Sequence, residues 1–212
     1  MDTIIRLETA ADHRQVEELT REAFWNLYVP GCVEHYLAHI LRDHPDFIPE
    51  LDFVAVSGGK IVGSIMYAKS RLADDSGKVL QTATFGPVCV HPAYRRQGIG
   101  SALIGHSGKA ALELGYKIVI IHGAPHNYCR HGFKGSKDLG ISGADGKYPA
   151  SLLVLELEIG HLEGRKWKYL DSPVYDFDMG AVEEFDQQFE PRKKEYRHTQ
   201  EEFSISVRSY VE

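Results

Sequence analysis

Cysteine is scarce: Cys32, Cys89 and Cys129 are the three present in 212 residues. Their odd number and wide spacing imply no disulfide framework, so the fold must rest on a packed core. Positive charge is also short, with 24 Lys and Arg against 30 Asp and Glu and a formal net charge of −6. That balance argues against nucleic acid as the main partner, since no basic excess is available to neutralise a phosphate backbone. No apolar run approaches the ~20 residues of a membrane span. The opening Met1-Asp2-Thr3-Ile4-Ile5-Arg6 lacks the basic-then-apolar pattern of a signal peptide. A reducing, cytoplasmic setting without membrane attachment is therefore expected. Repeats and low-complexity tracts are missing too. What remains is ordinary globular composition, 43% hydrophobic and 25% charged, enough to bury a core without staples.

The first half reads as a strand, two helices and an antiparallel meander. Residues 4–7 suggest an opening strand. Asp12 and Gln15 suggest a capping box for a helix carrying Val16, Leu19, Ala23, Phe24 and Leu27 on one face, stopped by Pro30-Gly31. Val33, Tyr36, Leu37, Ile40 and Leu41 repeat the helical spacing before Pro45. Strands are expected over residues 53–56 and 61–67, joined by Gly58-Gly59, a turn that needs positive φ. Asp74-Asp75-Ser76-Gly77 turns into a long strand over 79–90. A helix then presents Ile99, Leu103, Ala110 and Leu114, and residues 117–122 form a continuous apolar strand. This strand–helix–strand passage predicts parallel pairing with a right-handed crossover. A strand over 151–159 follows. Beyond it come a polar loop over 160–168, a short helix over 182–189 and a charge cluster over 192–195. Thr199-x-x-Glu202 suggests a capping box opening a last helix, with Phe203, Val207, Tyr210 and Val211 inward.

The chemistry concentrates in Gly86-Pro87-Val88-Cys89-Val90-His91-Pro92-Ala93-Tyr94-Arg95-Arg96-Gln97-Gly98-Ile99-Gly100-Ser101. A strand runs into a tight turn that becomes a helix N-terminus. Such a turn exposes unpaired amide N–H groups and the positive end of the helix dipole. Gly98 and Gly100 remove the Cβ atoms that would hold a phosphate away, so the arrangement suits a pyrophosphate. A nucleoside-triphosphate loop is excluded because Gly108-Lys109 is followed by Ala110. A dinucleotide fingerprint is excluded because Leu103 stands where a third glycine belongs. The spacing that fits is Arg-x-x-Gly-x-Gly on Arg95, Gly98 and Gly100, preceded by Val90 and Pro92.

This run resembles the coenzyme-A-binding signature of the GNAT superfamily of N-acetyltransferases. The resemblance implies a mixed α/β fold, with a family-like domain over residues 1–160 and a C-terminal helical extension, 161–212, packed on it. The block from Phe24-Trp25 through Lys137-Asp138-Leu139-Gly140-Ile141, together with Tyr148 to Glu158, looks like a bacterial predicted-acetyltransferase branch. It also implies acetyl-CoA as cosubstrate and no metal. Arg95, Arg96, Gln97, Gly98, Ile99, Gly100 and Ser101 would hold the pyrophosphate. Val88, Cys89 and Val90 would line a splayed slot for the pantetheine, with an N–H near Val88 polarising the thioester carbonyl. A second stretch, Gly123-Ala124-Pro125-His126-Asn127-Tyr128-Cys129-Arg130-His131-Gly132-Phe133, resembles the family signature with a tyrosine four residues before Gly-Phe. Tyr128 would then protonate the departing thiolate. A phenol of pKa about 10 facing a thiol of about 8.5 makes this transfer slightly uphill, so a strong hydrogen bond can suffice. His122, His126, Cys129 and His131 lie close in sequence, but their spacings match no common zinc module.

The base is less clear. An amine of pKa near 10.4 is only about one part in two thousand neutral at pH 7, so a group must take its proton. Many family members carry a Glu near the end of the strand before the cradle. Here that strand reads Gln81-Thr82-Ala83-Thr84-Phe85-Gly86, without a carboxylate. Glu34 and His35, in a segment bordering the acceptor slot in this family, are candidates as base or substrate anchors. His122 and a water relay are others. Direct attack by an amine of a small molecule or peptide is preferred over an acyl-enzyme, although Cys129 neighbours Tyr128. The missing carboxylate also keeps a non-catalytic acyl-CoA sensor in view. The extension is expected to cover the domain, limit the acceptor site or make a homodimer contact.

Overall fold

The computed structural model describes residues 3–212, so Met1 and Asp2 of the opening hexapeptide lie outside the described residues. The chain enters through β1 (Thr3–Leu7), α1 (His13–Phe24) and α2 (Glu34–Leu41), then runs through β2 (Phe53–Ser57), β3 (Lys60–Ala73) and β4 (Val79–Val90). It continues with α3 (Ile99–Glu113), β5 (Ile118–His122), α4 (Pro125–Tyr128), β6 (Lys134–Gly135), β7 (Ile141–Ser142) and β8 (Leu152–Glu156). The C-terminal part holds β9 (Trp167–Leu170), α5 (Met179–Asp186) and α6 (His198–Arg208). Among the described residues no helix is long and apolar enough to cross a membrane.

The strands form one mixed sheet in the order β1-β2-β3-β4-β5-β8-β6, with β9 pairing β3 and β7 off that path. The β2–β3 hairpin turns at Gly58 and Gly59, with φ of +57° and +76°, the positive pair that a two-residue turn demands. Alternation along the strands divides the core. Ile65, Tyr67, Ala83 and Phe85 join the cluster that Leu103 and Ala111 of α3 cover. Met66 and Ala68 point the other way, to Leu37, Ala38 and Leu41 of α2, while Cys89 meets Val16 and Leu19 of α1. The sheet thus sits between α3 and the α1–α2 pair, as period-two burial on both faces requires.

Several local expectations are corrected. The capping box belongs to Thr9 and Asp12, not Asp12 and Gln15. Asp12 is claimed by Arg6 at 2.7 and 2.9 Å and by the Thr9 amide and hydroxyl. Part of the expected loop over 160–168 is strand: Trp167 and Tyr169 are buried in a cluster with Leu72 and Ile120, and β9 pairs with β3 as Leu72↔Tyr169. That pairing also explains why β3 runs past Tyr67. The short C-terminal helix starts earlier than expected, capped by Asp178 accepting from the Ala181 amide. In α6 the cap is Arg197 and makes no side-chain bond. Thr199 instead donates its hydroxyl to Leu27 O at 2.7 Å. The residues expected inward are not: Phe203, Val207, Tyr210 and Val211 are 37–49% exposed. Gln200 is the buried residue, its amide donating to Asn26 O and Glu195 O.

Candidate active site

The slot begins where two parallel strands part. The paired positions between β4 and β5 reduce to Ala83↔Val119. Immediately after this, β4 bulges: Phe85 faces Tyr67 and Val88 faces Ile65, so Gly86 and Pro87 stand opposite Met66 alone. Beyond the bulge His91 donates its N–H to Val62 O of β3 at 2.9 Å. In an antiparallel ladder alternate residues face the partner, so the N–H groups of Val88 and Val90 turn to the edge that β5 has left. Their side chains pack with the α3 cluster. The Cys89 thiol points under α1, 3.7 Å from the Thr20 hydroxyl and 5% exposed, and burial pushes its pKa up to about 11. Cys89 therefore lines the slot with backbone only.

That open edge leads into the cradle. Arg96 and Gly98 are both left-handed, with φ of +61° and +85°, and Gly98 caps α3. The first α-helical bond is Ala102 N–H to Gly98 O at 2.9 Å, which leaves the Ile99, Gly100 and Ser101 amides without intrahelical acceptors. A Cβ added at Gly98 would meet nothing within 4 Å, and at Gly100 only Val90 Cγ2 at 3.6 Å. The space above these glycines is therefore unfilled by protein. Arg95 is spent elsewhere: its guanidinium donates to Ala23 O at 2.7 Å and ties the cradle to the end of α1. Gln97 bonds back to Ala93 O at 3.4 Å.

Tyr128 ends α4 beside Phe85, the residue at which β4 bulges. Its ring lies 5.8 Å from both Phe85 and Phe133, centroid to centroid. Burial, and then the neighbouring Tyr28, push its pKa above the ordinary phenol value, so the hydroxyl is protonated at neutral pH. Glu34, half-buried at the start of α2, accepts from the Val33 amide at 3.1 Å and the Cys32 thiol at 3.4 Å. Burial raises its pKa. Glu34 and Tyr128 both act electrostatically on Tyr28 or feel it, so the three share one neighbourhood.

His35 does not join them, which corrects its place among the substrate candidates. It is 0% exposed, enclosed by Phe185 and Phe189 at 5.3 and 5.1 Å, and its Nε2 lies 3.1 Å from Asp186 Oδ1. It docks α5 rather than meeting a ligand. His122 ends β5 with one side open to solvent, while the protein around it lowers its pKa and its Nδ1 lies 3.3 Å from Ser151 Oγ. His126, Cys129 and His131 are not gathered with it. Among the described residues no group of three or more metal-ligating side chains could hold an ion.

Comparison with known proteins agrees with this geometry. Residues 50–135 match the acetyltransferase (GNAT) domain family. The N-acetyltransferase YhbS of Escherichia coli K12, itself uncharacterized, is 30% identical over 132 residues, 62% of this chain and 73% of that protein. The chain belongs to the GNAT acetyltransferase family. Solved structures share the fold. E. coli YhbS in complex with CoA superposes with a TM-score of 0.71 at 23% identity, covering 82% of this chain and 92% of that one. A GNAT acetyltransferase from Brucella melitensis in complex with acetyl-CoA gives 0.64 at 20% identity, covering 82% and 99%.

In this GNAT chain some site residues escape sequence reasoning. Gly123 is one: a Cβ there would lie 2.4 Å from Tyr128 Cε2, so the glycine makes room for the tyrosine ring. Tyr28 is another, stacked on Phe203 of α6 at 4.6 Å. The loop carrying it is laced to the C-terminal segment through Asn26, left-handed at φ +58°, which bonds to Lys193 O and the Glu195 amide. A third group, Tyr169, Asp171 and Tyr175, follows β9, which pairs with β3; no motif marks it, and the Tyr175 hydroxyl donates to Gly86 O of β4 at 3.4 Å.

Proposed function

We propose that this protein transfers the acetyl group of acetyl-CoA to an amine of a small molecule or peptide by direct attack on the thioester. The observation that carries the reading is the continuity of free donors: the open edge at Val88 and Val90 runs straight into the unpaired amides of Ile99, Gly100 and Ser101. The pantetheine would lie along that edge, and the pyrophosphate over Gly98 and Gly100, with the Arg96 and Gln97 backbones completing the cradle. The Val88 N–H would bind the thioester oxygen as negative charge develops on it.

Two groups suit the first proton of the ammonium. His122 is kept below its ordinary pKa by burial, hence neutral at pH 7, and Glu34 lies on the α2 side near Tyr28. The freed amine attacks the carbonyl carbon, the C–N bond forms and the C–S bond breaks. The sulfur takes the Tyr128 proton, and the nitrogen's second proton refills the phenol through solvent, so one proton is released per turnover. Cys89 is no nucleophile, since its thiol is buried and protonated. Residues 1–160 would form the catalytic domain, with 161–212 packed on it through the Arg21–Asp186 pair at 2.6 Å. Free thiols at Cys32, Cys89 and Cys129 suit a cytoplasmic setting.

Thiol release from acetyl-CoA across a panel of amines, antibiotics and peptides tests the proposal. Release that depends on an amine supports it. Tight CoA binding with no release from any acceptor favours a non-catalytic acyl-CoA sensor, the reading to which the carboxylate missing from β4 points.

A further inference from the structure

We propose that the C-terminal segment supplies the acceptor's binding site: Asp171 receives the cationic nitrogen at the mouth of the slot, beside His122, and so restricts the enzyme to amines that are charged in water. The inference rests on the acetyltransferase reading above and names the class of its second substrate.

The placement follows from β9. Its pairing with β3 sets Tyr169 in a cluster with Leu72 and Ile120, beside Thr84 and with its ring 6.0 Å from that of His122. Asp171 follows directly, and a short helical turn over Pro173–Tyr175 returns to β4. There the Tyr175 hydroxyl donates to Gly86 O at 3.4 Å, at the bulge where the slot opens. The Thr84 side chain lies beside the hydroxyls of both Tyr169 and Tyr175. The segment thus touches β4 at the stretch that lacks a carboxylate of its own, through Tyr169 and Tyr175, with Asp171 between them in sequence.

Asp171 is built to hold a charge there. Its Oδ1 accepts from the Tyr169 hydroxyl and the Ser172 amide, each at 2.9 Å, which fixes the carboxylate. Oδ2 has no protein donor, and no Lys or Arg pairs with Asp171 among the described residues. The group is exposed to solvent on one side, yet burial by surrounding protein is the largest influence on it and raises its pKa, the situation of a cleft wall. The titratable groups facing it are His122 from β5, Tyr169 from β9 and Tyr175 from the following turn. His122 and Asp171 each feel the other's charge, and the His122 ring lies 6.0 Å from that of Tyr169. A cation held by Asp171 therefore places its N–H groups beside a neutral imidazole, which takes the proton while the carboxylate steadies the imidazolium that forms. Asp171 is a substrate-binding and positioning residue; His122 is the base.

Benzylamine, charged at pH 7, and aniline, neutral at pH 7, share a ring and separate charge recognition from shape. Calorimetry on the CoA-loaded protein and thiol release from acetyl-CoA are measured for wild type, Asp171→Asn and Asp171→Glu. The isosteric Asn retains an Oδ1 acceptor for Tyr169 and Ser172. The expected result is a preference of wild type for benzylamine over aniline. Asp171→Asn should lose that preference through a KM for benzylamine raised about 10- to 100-fold, with CoA affinity unchanged, and Asp171→Glu should recover part of it. A wild type that binds both amines equally overturns the proposal, as does an Asp171→Asn variant that retains the preference. Failure to bind CoA would instead sink the acetyltransferase reading, and calorimetric preference without thiol release would sink catalysis while leaving the charge site standing.

Discussion

Gly123→Ala is a small change with a large expected effect on turnover. The added methyl would sit 2.4 Å from Tyr128 Cε2 and 2.8 Å from Cδ2, whereas carbon atoms in contact rest about 3.5–4.0 Å apart. The ring must therefore move by about 1 Å or more. Phe85 and Phe133 flank it, so the ring cannot keep its place and its hydroxyl shifts with it. On the proposed mechanism the phenol would then leave the departing sulfur. A misplacement of this size costs on the order of 10²-fold in rate, or about 2.7 kcal/mol of barrier. Tyr128→Phe, which deletes the proposed proton donor outright, should cost on the order of 10²- to 10⁴-fold. Steady-state thiol release with a saturating amine measures both, and calorimetry with CoA should give near wild-type affinity in each. The double variant is the sharper check. If Gly123→Ala acts by displacing the hydroxyl, it should cost little further once the hydroxyl is gone. Wild-type kcat in Gly123→Ala, or full additivity in the double variant, would refute the reasoning.

Gly100→Leu should abolish CoA binding in calorimetry while leaving the thermal transition nearly in place, because only Val90 Cγ2 approaches that position and at an ordinary 3.6 Å. Cys89→Ala should leave turnover within a few-fold, with no acyl-enzyme found by intact-mass analysis of a quenched reaction, since the thiol is buried with its pKa near 11. His35 has a folded pKa of about 4 against an ordinary 6.5, so the unfolded chain binds the extra proton first. Its contribution to stability is whole above pH 6.5 and declines as pH falls toward 4, by about 2 kcal/mol at pH 5. Thermal melts should show this decline, and His35→Leu should flatten it. Trp167→Ala, removing a side chain 1% exposed, should cost about 3–5 kcal/mol in denaturant unfolding and loosen β9 from β3.

The turn proposed to hold the cofactor could be read from the sequence because its parts are contiguous. A strand end, a left-handed turn and a helix N-terminus need only the residues from Val88 to Ser101, and their donors converge through local backbone geometry. The same holds for Tyr128, whose distance from Gly132 and Phe133 along the chain is its signature. Helix faces and strand alternation were equally legible on α1, β3 and β4, where one period matched one burial pattern. Amphipathic spacing misled at α6, because Gln200 reaches the buried carbonyl of Asn26 and turns Phe203 and Val207 toward the surface.

The sequence by itself determined the fold and the local shape of the turn before α3 and of the helix that ends at Tyr128, since each is written in neighbouring residues whose conformations are settled over a few bonds. Only the tertiary structure decided what surrounds the proposed acceptor site. It buried His35 under α5, left His122 half open at the end of β5, and set Asp171 beside Tyr169, with Tyr175 reaching Gly86 of β4. The pairing of β9 with β3 fixes that last placement, and a strand pairing between distant segments leaves no local mark on either one.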